Sequence, residues 1–182
     1  MRAIVENSEH VFSLTQDLST YLAAEIPPEL LRPIDLNKAI EKATTLIGNP
    51  ELASIDCDSN LGTVFGDFSK VVLIVSNILS NGIKYNESND KKIRIQKSAK
   101  SSNKELVIEI QDNGIGIDED GLKDIFNPFC RLVSKKDYSG TSLGLAMVRR
   151  NMMQLNGDVW VESIVSKGST FFLRFKRITS DL

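Results

Sequence analysis

A chain of 182 residues with 41% hydrophobic and 25% charged side chains is long enough for one domain of ordinary size, a modest appendage and a real core. Lys and Arg total 22 against 24 Asp and Glu, and a net charge of -2 excludes a long-range pull toward nucleic acid or an anionic membrane, so neither is an expected partner. Cys57 and Cys130 stand far apart without CxxC or His-rich spacing, and the N-terminal segment holds no apolar run of signal or membrane length; the expectation is an intracellular, reducing setting without a structural metal.

In chain order, Ile4, Val11 and Leu18 recur every seven residues with Leu14 and Tyr21 offset by three, the seam of a helix that pairs with another helix. Pro27-Pro28 ends it. Leu31 to Ile34 reads as extended, and Asp35 suits an N-cap for a helix from Leu36 to Ile47, with Leu36, Ala39, Ile40, Ala43 and Ile47 on one face. Glu51 to Cys57 reads as a short strand. Asp67 to Tyr85 reads as a long helix that buries Val71, Ile74, Val75, Ile78 and Leu79.

Ile93 to Lys97 and Glu105 to Gln111 alternate apolar and polar residues around a polar turn, an antiparallel hairpin. The cluster Lys84, Lys91, Lys92, Arg94, Lys97, Lys100 and Lys104 straddles this hairpin and reads as a solvated face beside acidic neighbours. A short helix is expected near Leu122 to Phe126 and a longer one over Leu143 to Leu155. Two strands, Val159 to Ser163 and Ser169 to Arg177, close the chain around Lys167-Gly168. Helices before strands, with hairpins in the sheet, predict an α/β two-layer sandwich.

Three segments carry candidate chemistry. Asn77, Asn81 and Tyr85 are four apart on one helix face, with Lys84 beside them. A carboxamide oxygen suits Mg²⁺ held mainly by phosphates and water, and Lys84 can neutralise a phosphate; the alternative is a polar outer stripe. Asp112-Asn-Gly114-Ile-Gly116 ends a strand with an acceptor-only carboxylate able to take an exocyclic amine, and the glycines let backbone approach a flat base; the alternative is a tight turn. Gly140-Thr141-Ser142-Leu143-Gly144-Leu145 opens a helix whose free N–H groups can meet phosphates, or it is a plain N-cap.

These segments, in this order, resemble the catalytic ATP-binding domain of sensor histidine kinases, in the GHKL ATPase superfamily with type II topoisomerases, a heat-shock chaperone and mismatch-repair ATPases. Asn77 to Tyr85 matches the N box and Asp112 to Gly116 the first glycine box. Ile125 to Phe129 matches the F box, Gly140 to Leu145 the second glycine box, and Gly168-Ser169-Thr170-Phe171 the closing glycine turn. The resemblance covers roughly Pro33 to Phe175. It implies a mixed sheet with three helices on one face, and ATP with Mg²⁺ held between helices under a mobile lid. Asn81 would ligate Mg²⁺, with Asn77 in support of metal or phosphate, and Lys84 would touch phosphate; Asn81 and Lys84 are the expected catalytic pair. Tyr85 would border adenine and Asp112 would take its amino group. Gly114 and Gly116 would shape the base pocket, and Thr170 would sit near the base edge. Phe126 and Phe129 would anchor the lid, or serve as core.

The resemblance further assigns residues 1–28 to a remnant of the dimerisation helix and 29–182 to the catalytic domain. It implies transfer of the ATP γ-phosphoryl to a histidine on a separate acceptor domain, a downstream response regulator, and a homodimeric, cytoplasmic or membrane-anchored full-length sensor. Two departures stand out. Ser142 replaces the middle glycine of the usual Gly-Thr/Ser-Gly-Leu-Gly, which implies reduced affinity or turnover. His10 lacks the acidic and Arg-Thr-Pro signature of an acceptor, so it reads as a solvated helix histidine. A degenerate, ATP-binding interaction module without phosphotransfer is the alternative. A hydrolysing machine is disfavoured because Asn77 stands where hydrolysing relatives carry a Glu, and a carboxamide is a poor base.

Overall fold

The computed structural model describes Thr15 and residues 31–47, 50–130 and 142–177. The expected N-terminal helix, the Pro27-Pro28 connector and His10 lie outside these residues, as do Gly140 and Thr141. Strand β1 (Arg32–Asp35) leads directly into α1 (Leu36–Leu46). Asp35 caps this helix as expected, accepting from the Asn37 and Lys38 amides and so satisfying two of its orphan donors. Ala39, Ile40 and Ala43 form its buried face.

The expected extended run from Glu51 divides into a 3₁₀ turn at Pro50–Leu52 and strand β2 (Ser54–Cys57). Strand β3 (Thr63–Gly66) went unforeseen, because four residues between a Gly62 turn and the Asp67 cap carry too little periodicity. It pairs antiparallel with β1 as a separate ribbon.

Helix α2 (Phe68–Lys84) starts at Asp67, whose side chain accepts from the Lys70 amide, worth about 1 kcal/mol. Val71, Ile74, Val75, Ile78 and Leu79 are buried as the spacing predicts. The hairpin β4 (Lys92–Lys97) and β5 (Glu105–Asp112) is antiparallel, with Ile93 opposite Asp112 and Ile95 opposite Ile110. Helix α3 (Glu119–Asp124) sits three residues earlier than expected, because the Asp118 side chain caps it at Gly121. Helix α4 (Gly144–Gln154) and strands β6 (Asp158–Ile164) and β7 (Gly168–Lys176) complete the chain.

The main sheet runs β2-β4-β5-β7-β6, with β2 and β4 parallel and the other neighbours antiparallel. Strand alternation sends Ile93, Ile95, Leu106, Ile108, Ile110, Phe171, Leu173 and Phe175 toward the helices, where all are buried. Each such side chain contributes about 1.5–3 kcal/mol against exposure. Helix α2 is the centre of the helical layer, packed against α1 on one side and α4 on the other. This is the expected two-layer sandwich on a mixed sheet, with the β1–β3 ribbon added.

The opposite sheet face is polar. Trp160 and Phe172 stack there with centroids 5.0 Å apart, under the ammonium of Lys100, 3.8 Å from the Phe172 centroid. Three of the seven basic residues of the cluster meet the acidic neighbours expected of them: Lys92 pairs with Asp90, Arg94 with Asp56 and Asp58, and Lys100 with Glu162. Exposed pairs of this kind contribute at most about 1 kcal/mol each.

Candidate functional site

The polar stripe of α2 consists of half-buried residues beside the helix's buried face. Asn77 donates to the Leu73 carbonyl at 2.8 Å, and its Oδ1 abuts Gly144 so closely that a Cβ there would lie 2.7 Å away. Asn77 Nδ2 is thus engaged with its own helix, and its Oδ1 lies against the start of α4. Lys70 and Gln154 hydrogen-bond across the same pair of helices at the other end. One turn beyond Asn77, the Asn81 carboxamide has no hydrogen-bond partner in the described residues. Lys84 lies over Tyr85, its ammonium 2.9 Å from the phenol oxygen and 4.5 Å from the ring centroid.

Asp112 ends β5 on the helix-facing side of the sheet and rests against α2 at Gly82: a Cβ there would lie 3.3 Å from the Asp112 Cβ. Its Oδ1 accepts from the Gly114 amide at 2.8 Å and the Ser169 amide at 3.3 Å. Among the described residues its Oδ2 has no protein partner. Burial pushes this carboxyl above its ordinary range, and the two backbone donors pull partly the other way. The result is a held carboxylate with one oxygen to offer.

The glycines around it are fixed by backbone contacts. A Cβ on Gly114 would lie 2.4 Å from the Tyr85 carbonyl, which accepts from the Ile115 amide at 3.0 Å. Gly116, at φ 73°, faces the Ile164 carbonyl, only 2.2 Å from where its Cβ would be. These close approaches hold the Asp112 loop between the end of α2 and the β6–β7 turn.

At the second glycine box, Leu143 precedes α4 without any side-chain cap, so the first-turn amides of Gly144 and Leu145 are not met by a capping side chain. Ser142 has φ 60°, the left-handed region that favours glycine. Its carbonyl accepts from the Phe129 amide at 3.0 Å, which joins the F box to the start of α4. Phe126 packs against the core, whereas Phe129 is 63% exposed and itself left-handed at φ 63°. Phe129 is therefore not core.

Thr170 needs a correction. It stands opposite Gln111 and Glu162, and period-two alternation along β7 puts it on the sheet face of Phe172, away from Asp112. Ser169 occupies the inner position, giving its amide to Asp112 and pairing its hydroxyl with Ser163 at 3.0 Å. Counting one residue from Gly168 with the strand period would have found it. A second set of residues escaped sequence reasoning altogether. Asn86 is buried and donates to Asn113 Oδ1 at 2.8 Å; that oxygen also accepts from the Lys92 amide, while Asn113 Nδ2 donates to Asp90. This clasp joins the end of α2 to the Asp112 turn, and nothing local marks it.

The residues present fit a metal–nucleotide complex. Among the described residues, Asn81 offers a neutral oxygen with no competing partner, Asp112 offers one unpaired acceptor oxygen, and α4 begins without a side-chain cap.

Comparison with known proteins places the chain in a family of ATPases. The family model described as histidine kinase-, DNA gyrase B-, and HSP90-like ATPase matches residues 66–179. The autoinducer 2 sensor kinase/phosphatase LuxQ of Vibrio vulnificus is 38% identical over 104 residues, 55% of this chain and 12% of that protein. The first curated relatives are matched over only 12% to 22% of their own length, so the chain corresponds to a small part of each. Among solved structures, the mycobacterial sensor histidine kinase MprB superposes with a TM-score of 0.70 at 19% identity, over 81% of this chain and all of that one. Full-length ShkA, in complex with AMPPNP, superposes with a TM-score of 0.77 at 24% identity, over all of this chain and 39% of that one. The shared fold, the ordered motifs and the match over most of the chain lead to one conclusion: this chain belongs to the histidine kinase-, DNA gyrase B- and HSP90-like ATPase family.

Proposed function

We propose that the chain is the ATP-binding catalytic domain of a two-component sensor histidine kinase, holding ATP between α2 and α4 and donating its γ-phosphoryl to a histidine on a separate acceptor domain. The observation that supports this is Asp112, with one oxygen held by two amides and, among the described residues, the other unpaired, packed against α2 at Gly82, on the same helix as Asn81, which has no partner among the described residues. Asp112 Oδ2 accepts the adenine amino group, a contact that an oxygen at the same place on guanine would refuse. Asn81 is the protein ligand of Mg²⁺, which when bound neutralises phosphate charge. The start of α4 directs its positive dipole end at the phosphates, and Lys84 swings from the Tyr85 ring to the same charge.

In the transfer, an imidazole nitrogen of the acceptor forms a bond to the γ-phosphorus as the bond to the bridging oxygen breaks and ADP departs. The residues of this chain position and neutralise; no covalent help from them is needed. Asn77 is a carboxamide and a poor base, so it does not activate water, and ATP is preserved for the protein acceptor. A dimeric, cytoplasmic sensor with a response regulator downstream is the setting this reading implies. Among the described residues no helix is long and apolar enough to cross a membrane.

Ser142 supports a second reading, a nucleotide-binding module without transfer, because a side chain stands in left-handed backbone beside the phosphate end. One experiment separates the two. The chain is mixed with labelled ATP, Mg²⁺ and a separately made acceptor helical hairpin: labelled hairpin supports the kinase, Mg²⁺-dependent binding without label supports the module, and no adenine-nucleotide binding removes both.

A further inference from the structure

Asp112, Ser169 and Ser163 form one row across three strands. Ser163 stands opposite Ser169 in the β6–β7 register. The β5–β7 register ends with Gln111 opposite Thr170, and one further step along it sets Asp112 opposite Ser169. The Ser169 amide, 3.3 Å from Asp112 Oδ1, spans that step. Residues directly opposite one another share a sheet face, so all three side chains lie on the helix-facing side.

A serine hydroxyl has one proton and two lone pairs, and counting them fixes the direction of each hydrogen bond in the row. Ser163 Oγ lies 2.9 Å from the Ile117 amide, which can only donate, and 2.8 Å from the Gly168 carbonyl, which can only accept. The Ser163 proton is therefore used on Gly168. The 3.0 Å contact between the two serine oxygens then runs from the Ser169 hydroxyl to Ser163. Ser163 gives one hydrogen bond and takes two, which saturates it. The single Ser169 proton is directed to β6, away from Asp112 on β5.

Ser169 is only 6% exposed, so its hydroxyl depends on a protein acceptor. Ser163 is that acceptor on one side, and the Asp112 carboxylate stands on the other, where it would make the stronger, charge-assisted bond. We infer that Ser163 is a positioning residue for adenine recognition: by taking the Ser169 proton it keeps Asp112 Oδ2 open for the amino group of the base. The inference rests on the proposed adenine contact of Asp112 and supplies the reason that a carboxylate facing a hydroxyl retains an unpaired oxygen.

The test is a double-mutant cycle read by calorimetric titration of the full chain with ATP and Mg²⁺. Ser163→Ala releases the Ser169 hydroxyl to Asp112, and ATP affinity is expected to fall about tenfold. Ser169→Ala keeps the amide but has no proton to release, so adding S163A to S169A is expected to cost nothing further. A role of Ser163 in holding the fold alone predicts the same loss in both backgrounds, and that result overturns the inference, as does an S163A chain that binds ATP like the parent. Should a melting curve show S163A unfolded, the cycle is run with Ser163→Cys, which fills the same space with a weak acceptor and carries the same expectations. A parent chain that binds no adenine nucleotide overturns the functional reading and this inference together, whereas a parent that binds, with equal losses in the two backgrounds, overturns this inference alone.

Discussion

The Gly168 backbone rests on the Asp112 carbonyl so closely that a Cβ at Gly168 would lie 2.1 Å from that oxygen, with Gly168 at φ 108°. Two motifs more than fifty residues apart in sequence are pressed into one wall, and the adjoining Ser169 amide reaches the Asp112 carboxylate because of it. Gly168→Ala is therefore expected to cost about 3 kcal/mol, combining left-handed strain with a backbone clash that no rotamer relieves. Thermal and urea unfolding measure it. A loss under about 1 kcal/mol would show that the two segments are not held so tightly.

Asn81→Ala separates site from scaffold. Its carboxamide has no protein partner in the described residues, so stability should change by no more than about 0.5 kcal/mol while Mg²⁺-dependent ATP affinity falls sharply. Calorimetric titration with and without Mg²⁺, beside a melting curve, gives both numbers. Equal affinity in variant and parent would remove Asn81 from the metal's ligands.

Asp112 carries opposite pH signatures for folding and for binding. Burial raises its pKa in the folded chain above the unfolded value, so the folded state holds this proton more tightly. This group alone therefore favours folding as pH falls through the window between the two values, and disfavours it as pH rises. Adenine binding needs the ionised acceptor and should weaken over that same fall in pH, starting above the ordinary carboxylate range. Asp112→Asn should abolish this pH dependence, lower ATP affinity about a hundredfold and leave stability equal or improved.

Ser142→Gly removes a side chain from left-handed backbone and is expected to stabilise the chain by about 1 kcal/mol. If the serine is what limits the phosphate end of the site, ATP affinity rises with it. Labelling of an acceptor hairpin by the variant but not by the parent would identify the natural chain as a binding module.

Asn113→Ala should destabilise by about 2–3 kcal/mol, because it orphans the buried Asn86 amide and the Lys92 amide together. Hydrogen exchange at Lys92 and Ile115 would report the opened turn. Protection unchanged there would mean that the glycine contacts alone hold it.

Much of the fold was readable because it depends on short-range periodicity. The seam of α2, the Asp35 and Asp67 caps and the β4–β5 alternation are each set by residues within one or two turns of one another. Strand β3 was not readable, since four residues cannot establish a period and its partner β1 lies about thirty residues back. The start of α3 shifted for a related reason: a single Asp118 side chain outweighed the apolar spacing of Leu122 to Phe126.

For the site, the order and spacing of residues determined which types are present: carboxamides four apart on a helix, a carboxylate closing a strand, glycines after it, and a helix start near the end. Only the tertiary structure decided how each is used. Asn77 bonds Leu73 and lies against Gly144 where two helices meet, strand parity puts Ser169 rather than Thr170 on the Asp112 side of the sheet, and Asn86 found Asn113 across a turn. Hydrogen-bond partners and close backbone approaches are long-range facts: they depend on which segments the buried core brings together, and a linear pattern encodes the donors and acceptors without their pairing.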